Sequence, residues 1–290
     1  MRSRTVRRGT ILLLFITVVT TSDVHAQASE DPNGRWTPPT WVGDVTFVGL
    51  NSLISGITAG LMQELRDGSF QDGFAKGALG GAIAYGGRRL AAADFDGAGF
   101  LGRQFGAVGA SMARNAGDAR PLLSRLQFPV GPVTFDVLTG GGTRVKPRVN
   151  LMAAGWIIAA LLDDRMELDG GASLSAGIPV FRAPNHIITT EDRGASGIAA
   201  PGMILIAHDL NPDNDTFTHE RIHIVQMDFA QILWGDPIED WMVTRIFGDR
   251  AVLSYFQPGI AMPLLYAGAV RGLDYQDRPW EIEASFVGQR

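Results

Sequence analysis

The sequence predicts an α+β fold in two parts, a glycine-rich helical N-terminal part and a C-terminal part in which a small sheet is followed by helices. Three observations predict it. Small residues recur at helical spacing before residue 125, strand-like segments follow from about Gln127, and a helical pattern runs from Thr216 to the end. Strands followed by helices argue for α+β over a doubly wound sheet.

The first 26 residues read as a secretory signal. Arg2, Arg4, Arg7 and Arg8 form a basic start, residues 11–19 are apolar, and Val24-His25-Ala26 supplies small residues for cleavage. The expectation is an exported protein, periplasmic, envelope-associated or extracellular. Loss of this segment removes four arginines and Asp23, leaving 21 basic and 29 acidic residues, net −8. Such an acidic balance argues against a nucleic-acid partner. The absence of cysteine excludes disulfides, thiolate metal sites and a cysteine nucleophile, so stability must come from packing.

Residues 27–45 are rich in proline and polar groups and read as a linker. Region 46–125 is helical in pattern, with Gly56 and Gly60, then Gly73, Gly77 and Gly81, then Gly99, Gly102, Gly106 and Gly109. Each glycine costs a helix interior about 1 kcal/mol relative to alanine, so close helix–helix contact must offset it. That contact is either internal or, through residues 46–115, with a membrane or a partner helix. Asp72, Lys76, Arg88, Arg89, Asp94 and Asp96 interrupt the candidate spans. Gly97-Ala98-Gly99-Phe100-Leu101-Gly102 fits a dinucleotide fingerprint but lacks the buried strand that must precede one.

In region 126–290, Val133–Leu138 and Arg144–Asn150 flank a glycine turn and read as a hairpin. Leu151–Leu162 suits a helix or a buried strand. Further strands are expected around 178–182 and at Met203–Ala207.

The chemistry lies in residues 216–234, which contain His219-Glu220-Arg221-Ile222-His223, an H-E-x-x-H pattern. Residues four apart share one face of a helix, so two imidazoles at this spacing can grip one zinc ion and leave open positions. Glu220 lies about 100° round from His219, able to take a proton from a zinc-bound water without being a ligand. Asp213, Asp215 and Thr216 supply helix-start chemistry. Ile222, Val225, Phe229, Ile232 and Leu233 project onto one apolar face with the histidines and Gln226 along its edge, while Arg221 and Asp228 point elsewhere. The alternative is a pair of histidines merely satisfied beside a core.

HERIHIVQ resembles the H-E-x-x-H-x-x-Q active-site helix of zincin metallopeptidases. Gluzincins take a third ligand from a glutamate on a later helix, and Pro279-Trp280-Glu281-Ile282-Glu283-Ala284-Ser285 is similar to that element. The resemblance implies a zincin-like C-terminal part with zinc as cofactor and a peptide or protein as substrate. His219, His223 and Glu281 would be the ligands and Glu220 the catalytic base. Glu283 is the reserve ligand, and a solvated helix start is the alternative for both glutamates. Ser285 stands where the family has an orienting aspartate, a departure that weakens the support of the metal site. Fifty-seven residues separate His223 from Glu281, so residues 236–276 are expected to form an inserted helical segment lining or covering the cleft.

Asp209, Asn211, Asp213 and Asp215 followed by Glu220 also mimic a calcium loop, though the preceding segment reads as a strand rather than an entering helix. His208, at a strand end, and Tyr266 and Tyr275 are candidate oxyanion stabilisers by residue type. His186 lies in a Pro-Asn loop and carries no signal. The competing functional reading is a non-catalytic, envelope-associated scaffold whose glycine-packed helices make the contacts and whose metal site is structural or degenerate.

Overall fold

The computed structural model describes residues 40–184, 197–208, 215–248, 251–269 and 278–288, with the signal-like segment outside them. Mixed α+β architecture results, mostly helical with two small sheets. Helices α1 (Thr40–Glu64), α2 (Phe70–Ala91) and α3 (Ala98–Gly117) come first. The first of them starts inside the stretch expected to be a linker. Pro38-Pro39 sit just ahead of it in sequence, where a missing backbone N–H costs a helix nothing.

The glycines of these helices face one another. A Cβ on Gly81 would stand 2.3 Å from the Asn51 carbonyl of α1, and one on Gly87 would stand 2.4 Å from the Gly106 nitrogen of α3. Only hydrogen fits at such approaches, so glycine's helical cost is offset by contact within the chain. Helix α1 is long and apolar enough to cross a membrane by length and composition alone. The dinucleotide-like motif is the start of α3, with Gly97 at φ +84° as its N-cap.

β1 (Arg125–Val130), β2 (Val133–Leu138) and β3 (Arg144–Asn150) form an antiparallel meander, and the expected turn holds Gly141 and Gly142 at φ +79° and +110°. Leu151–Leu162 is helix α4, capped by the Asn150 side chain. The second sheet has the order β4 (Glu167–Leu168), β5 (Val180–Ala183), β7 (Met203–Ala207), β6 (Gly197–Ala200), with α5 (Gly170–Ala176) between β4 and β5. β5 and β7 are parallel, while β6 runs antiparallel on the outer edge.

Helix α6 (Asp215–Ala230) carries the H-E-x-x-H residues and occupies the centre of the fold. Its Phe217 and Ile224 pack on Val180, Ile204 and Ile206 of the second sheet. Phe229 joins Ala84, Ala107 and Ala110 of α2 and α3, and Ile222 meets Phe47, Tyr85, Ala284 and Val287. The helix expected to have one apolar face is therefore covered on nearly every side. Arg221 lies over the Phe217 ring, and Asp228 receives the buried Arg103 guanidinium. α6 passes through a π-turn, Gln231–Gly235, into α7 (Asp236–Phe247). Pro237 supplies the reason, since its ring would clash with the carbonyl four residues back in a regular helix.

Among the described residues after Thr216, the helical pattern gives way to a 3-10 turn (Ala251–Tyr255) and to β8 (Phe256–Gln257), which pairs with β3. Gln257 is drawn there by Asp236, a fully buried carboxylate that also accepts from Arg114, Gln127, Arg148 and Gln231. α8 (Ala261–Ala269) and α9 (Pro279–Gly288) complete the described chain. Asp236 and Gln257 thus tie described parts of the segment expected to line or cover a cleft into an ionic core against the first sheet.

Candidate metal centre

α9 lies against α6 so closely that a Cβ on Gly288 would stand 3.6 Å from the His219 Cα. Pro279 opens α9, and its first turn brings Glu281 over the two histidines. His219 and His223 present their Nε2 atoms 2.9 Å apart. Glu281 Oε2 lies 3.3 Å from the first and 3.0 Å from the second. His223 and Glu281 are buried, while the His219 side chain keeps 21% of its surface, so the group opens on the His219 side. Burial opposes charge on His223, yet Glu281 and Glu220 outweigh it and raise its pKa.

Glu220 is buried on the side of the second sheet. The Ala199 N–H of β6 donates to its carboxylate, and Gly197 lies against its stem. Burial raises the Glu220 pKa above the usual carboxylate range.

Glu283 is corrected from reserve ligand to support. It points away from the imidazoles and receives Arg88 Nη1 at 2.7 and 2.9 Å, Asn51 Nδ2 at 2.8 Å and Gln226 Nε2 at 2.9 Å. The α-helical turn separates it from Glu281 by about 200°, so only one of the two can face the histidines. Gln226 Nε2 also donates to the Trp280 carbonyl at 3.1 Å, and Gln226 Oε1 lies 2.8 Å from His223 Nδ1.

Ser285 makes no hydrogen bond to either imidazole among the described residues; Gln226 takes the supporting position instead. His208 is not drawn in either. It is exposed at the end of β7, its N–H spent on Ala183 and its carbonyl on Arg182. The potential metal-ligand group among the described residues is His219, His223 and Glu281. Tyr266 accepts from Arg278 and packs on Trp280, the sequence neighbour of Glu281. His186, Tyr275 and residues 209–214 of the calcium-like loop lie outside the described residues.

Asn51 and Arg88 escaped sequence reasoning. Arg88 is an unpaired-looking charge on a glycine helix, and only the fold reveals the carboxylate 195 positions away. Gln226 carried a signal, three residues beyond His223 on the same helix. No family model, no curated protein and no solved structure matches the chain.

Proposed function

We propose that the protein is a zinc-dependent hydrolase of the zincin type acting on peptide bonds, with His219, His223 and Glu281 holding the metal and Glu220 as general base. The convergence of three ligand atoms, 2.9, 3.0 and 3.3 Å apart, carries the reading. Tetrahedral zinc with bonds of about 2.0–2.1 Å needs ligand atoms about 3.3 Å apart, so a small side-chain adjustment admits the ion. Two imidazoles and one carboxylate are a donor set of catalytic zinc sites, with a fourth position left open. Zinc held there supplies a Lewis acid for a carbonyl and lowers the pKa of water.

The chain's own residues supply the remaining chemistry. The Glu220 carboxylate, held by the Ala199 N–H, accepts a proton from water and passes it to the leaving amine. A carboxyl with its pKa raised by burial suits that exchange better than an exposed one. No other described strand pairs with the outer edge of β6, which offers backbone groups to an extended peptide beside Glu220.

Metal analysis and one substitution test the reading. The purified protein is expected to hold one zinc per chain and to cleave an unstructured peptide library. Glu220→Gln keeps the zinc and loses about 100-fold or more in rate. Protein without stoichiometric zinc, or full hydrolysis by Glu220→Gln, overturns it.

The scaffold alternative draws on α1, where Trp41, Val45 and Leu53 remain exposed. It predicts an oligomer that requires detergent. The glycine faces, already used within the chain, give it no support.

A further inference from the structure

We propose that Gln226 determines which nitrogen of His223 carries the proton, and that Glu283, Arg88 and Asn51 are the mount that holds Gln226 in that role. This rests on the metal reading above, and it makes the N-terminal helices α1 and α2 part of the metal centre.

The assignment follows from donor and acceptor identities. The Gln226 nitrogen faces the Trp280 carbonyl at 3.1 Å and Glu283 Oε2 at 2.9 Å. Both are acceptors only. Turning the amide over would set its carbonyl against a carbonyl and a carboxylate and lose both bonds. Gln226 Oε1 therefore faces His223 Nδ1, 2.8 Å away, and only an N–H there completes the contact. The neutral His223 ring then holds its proton on Nδ1 and turns its Nε2 lone pair toward Glu281 Oε2 at 3.0 Å. Two lone pairs at that distance repel. A proton on Nε2 relieves the contact by giving the imidazolium, and a metal ion relieves it with the ring kept neutral and with His219 Nε2, 2.9 Å away, able to share the ion.

The mount is equally determined. Glu283 is buried, and Arg88, itself buried, donates to both its oxygens. Asn51 Nδ2 donates to Glu283 Oε1 and to the Phe47 carbonyl, each at 2.8 Å, and its oxygen accepts from Arg88. Each amide thus has one orientation that satisfies its neighbours. His219 differs: its Nδ1 has no hydrogen-bond partner among the described residues. Gln226 and the residues behind it are positioning residues that act through His223, and such support is typically worth 10–100-fold in metal affinity.

Nitrogen-15 NMR of the full chain stripped with chelator reads the tautomer directly, at alkaline pH where the ring is neutral. His223 is expected as Nδ1–H, against the Nε2–H form that an unconstrained histidine favours. In Gln226→Met the His223 signal shifts toward Nε2–H and zinc affinity falls 10–100-fold. Arg88→Met produces the same two changes in smaller measure, and Arg88→Lys restores part of them. Cobalt(II) substitution reports the site by its visible spectrum, so a folding loss is told apart from a metal-site loss. Nε2–H on His223 of the unsubstituted chain overturns the proposal even if no variant folds. So does Gln226→Met with unchanged tautomer and zinc affinity within twofold, and that result leaves the zinc reading standing. If the unsubstituted chain takes up no zinc while His223 is Nδ1–H, the zinc reading fails and the tautomer assignment holds.

Discussion

Gly197 of the edge strand lies directly on Glu220 of the central helix: a Cβ at 197 would stand 2.9 Å from Glu220 Cγ and 3.2 Å from Thr216 Cγ2. The Ala199 N–H two residues on holds the carboxylate. One strand therefore both makes room for the proposed base and aims it.

Gly197→Ala is expected to displace Glu220 while leaving the histidines in place. Misplacement of a catalytic group by about 1 Å costs on the order of 100-fold. Peptide hydrolysis should fall by about 10–100-fold with one zinc per chain retained. Unchanged turnover would show that Glu220 tolerates the shift or plays no part.

The glycine helices make a contrast of sign. Gly87→Ala would set its Cβ 2.4 Å from the Gly106 backbone, whereas Gly49, on α1, has nothing within 4 Å of the same atom. Overpacking costs about 1–3 kcal/mol, while relief of glycine's helical cost gains about 0.5–1 kcal/mol. Thermal unfolding should show a lower midpoint for Gly87→Ala and a higher one for Gly49→Ala. Equal shifts in both would refute the packing account.

Asp236 governs acid stability. Burial alone would raise its pKa, but Arg148, Arg114 and the Gln127 contact outweigh burial and hold it well below the usual carboxylate range. A depressed folded-state pKa gives stability that is present above the unfolded value of about 3.9 and is lost as pH falls through the folded one. Urea unfolding should show Asp236→Asn less stable near neutrality by about 3 kcal/mol, since buried arginines lose their charge partner. Between about pH 5 and pH 2 the variant should lose less stability than the unsubstituted chain. A parallel decline would sink the assignment.

Ser285 and Glu281 are separable by metal binding. Ser285→Ala should bind zinc within twofold of the unsubstituted chain, because the hydroxyl supports neither imidazole. Glu281→Gln should abolish stoichiometric binding, since an amide cannot supply the anionic oxygen. Isothermal titration calorimetry decides both, and a large loss in Ser285→Ala would return the orienting role to position 285.

Much of this protein is local and therefore legible in the chain. His219 and His223 share a face because helical periodicity requires it. The hairpin at 133–150 needs its glycine turn, and Pro279 opens the helix that carries Glu281. Other features depend on residues far apart. Arg88 and Glu283 meet only through the fold. β8 forms because Gln257 reaches a buried Asp236, against a helical local pattern. Arg221 and Asp228, polar by composition, are enclosed because α6 is covered by helices on one side and a sheet on the other. Local sequence is enough to specify the helix that sets His219 and His223 on one face, since a 3.6-residue period is a property of neighbours. Tertiary structure decided which glutamate faces them and what holds His223, because burial, charge pairing and hydrogen-bond direction belong to groups the chain brings together from a distance.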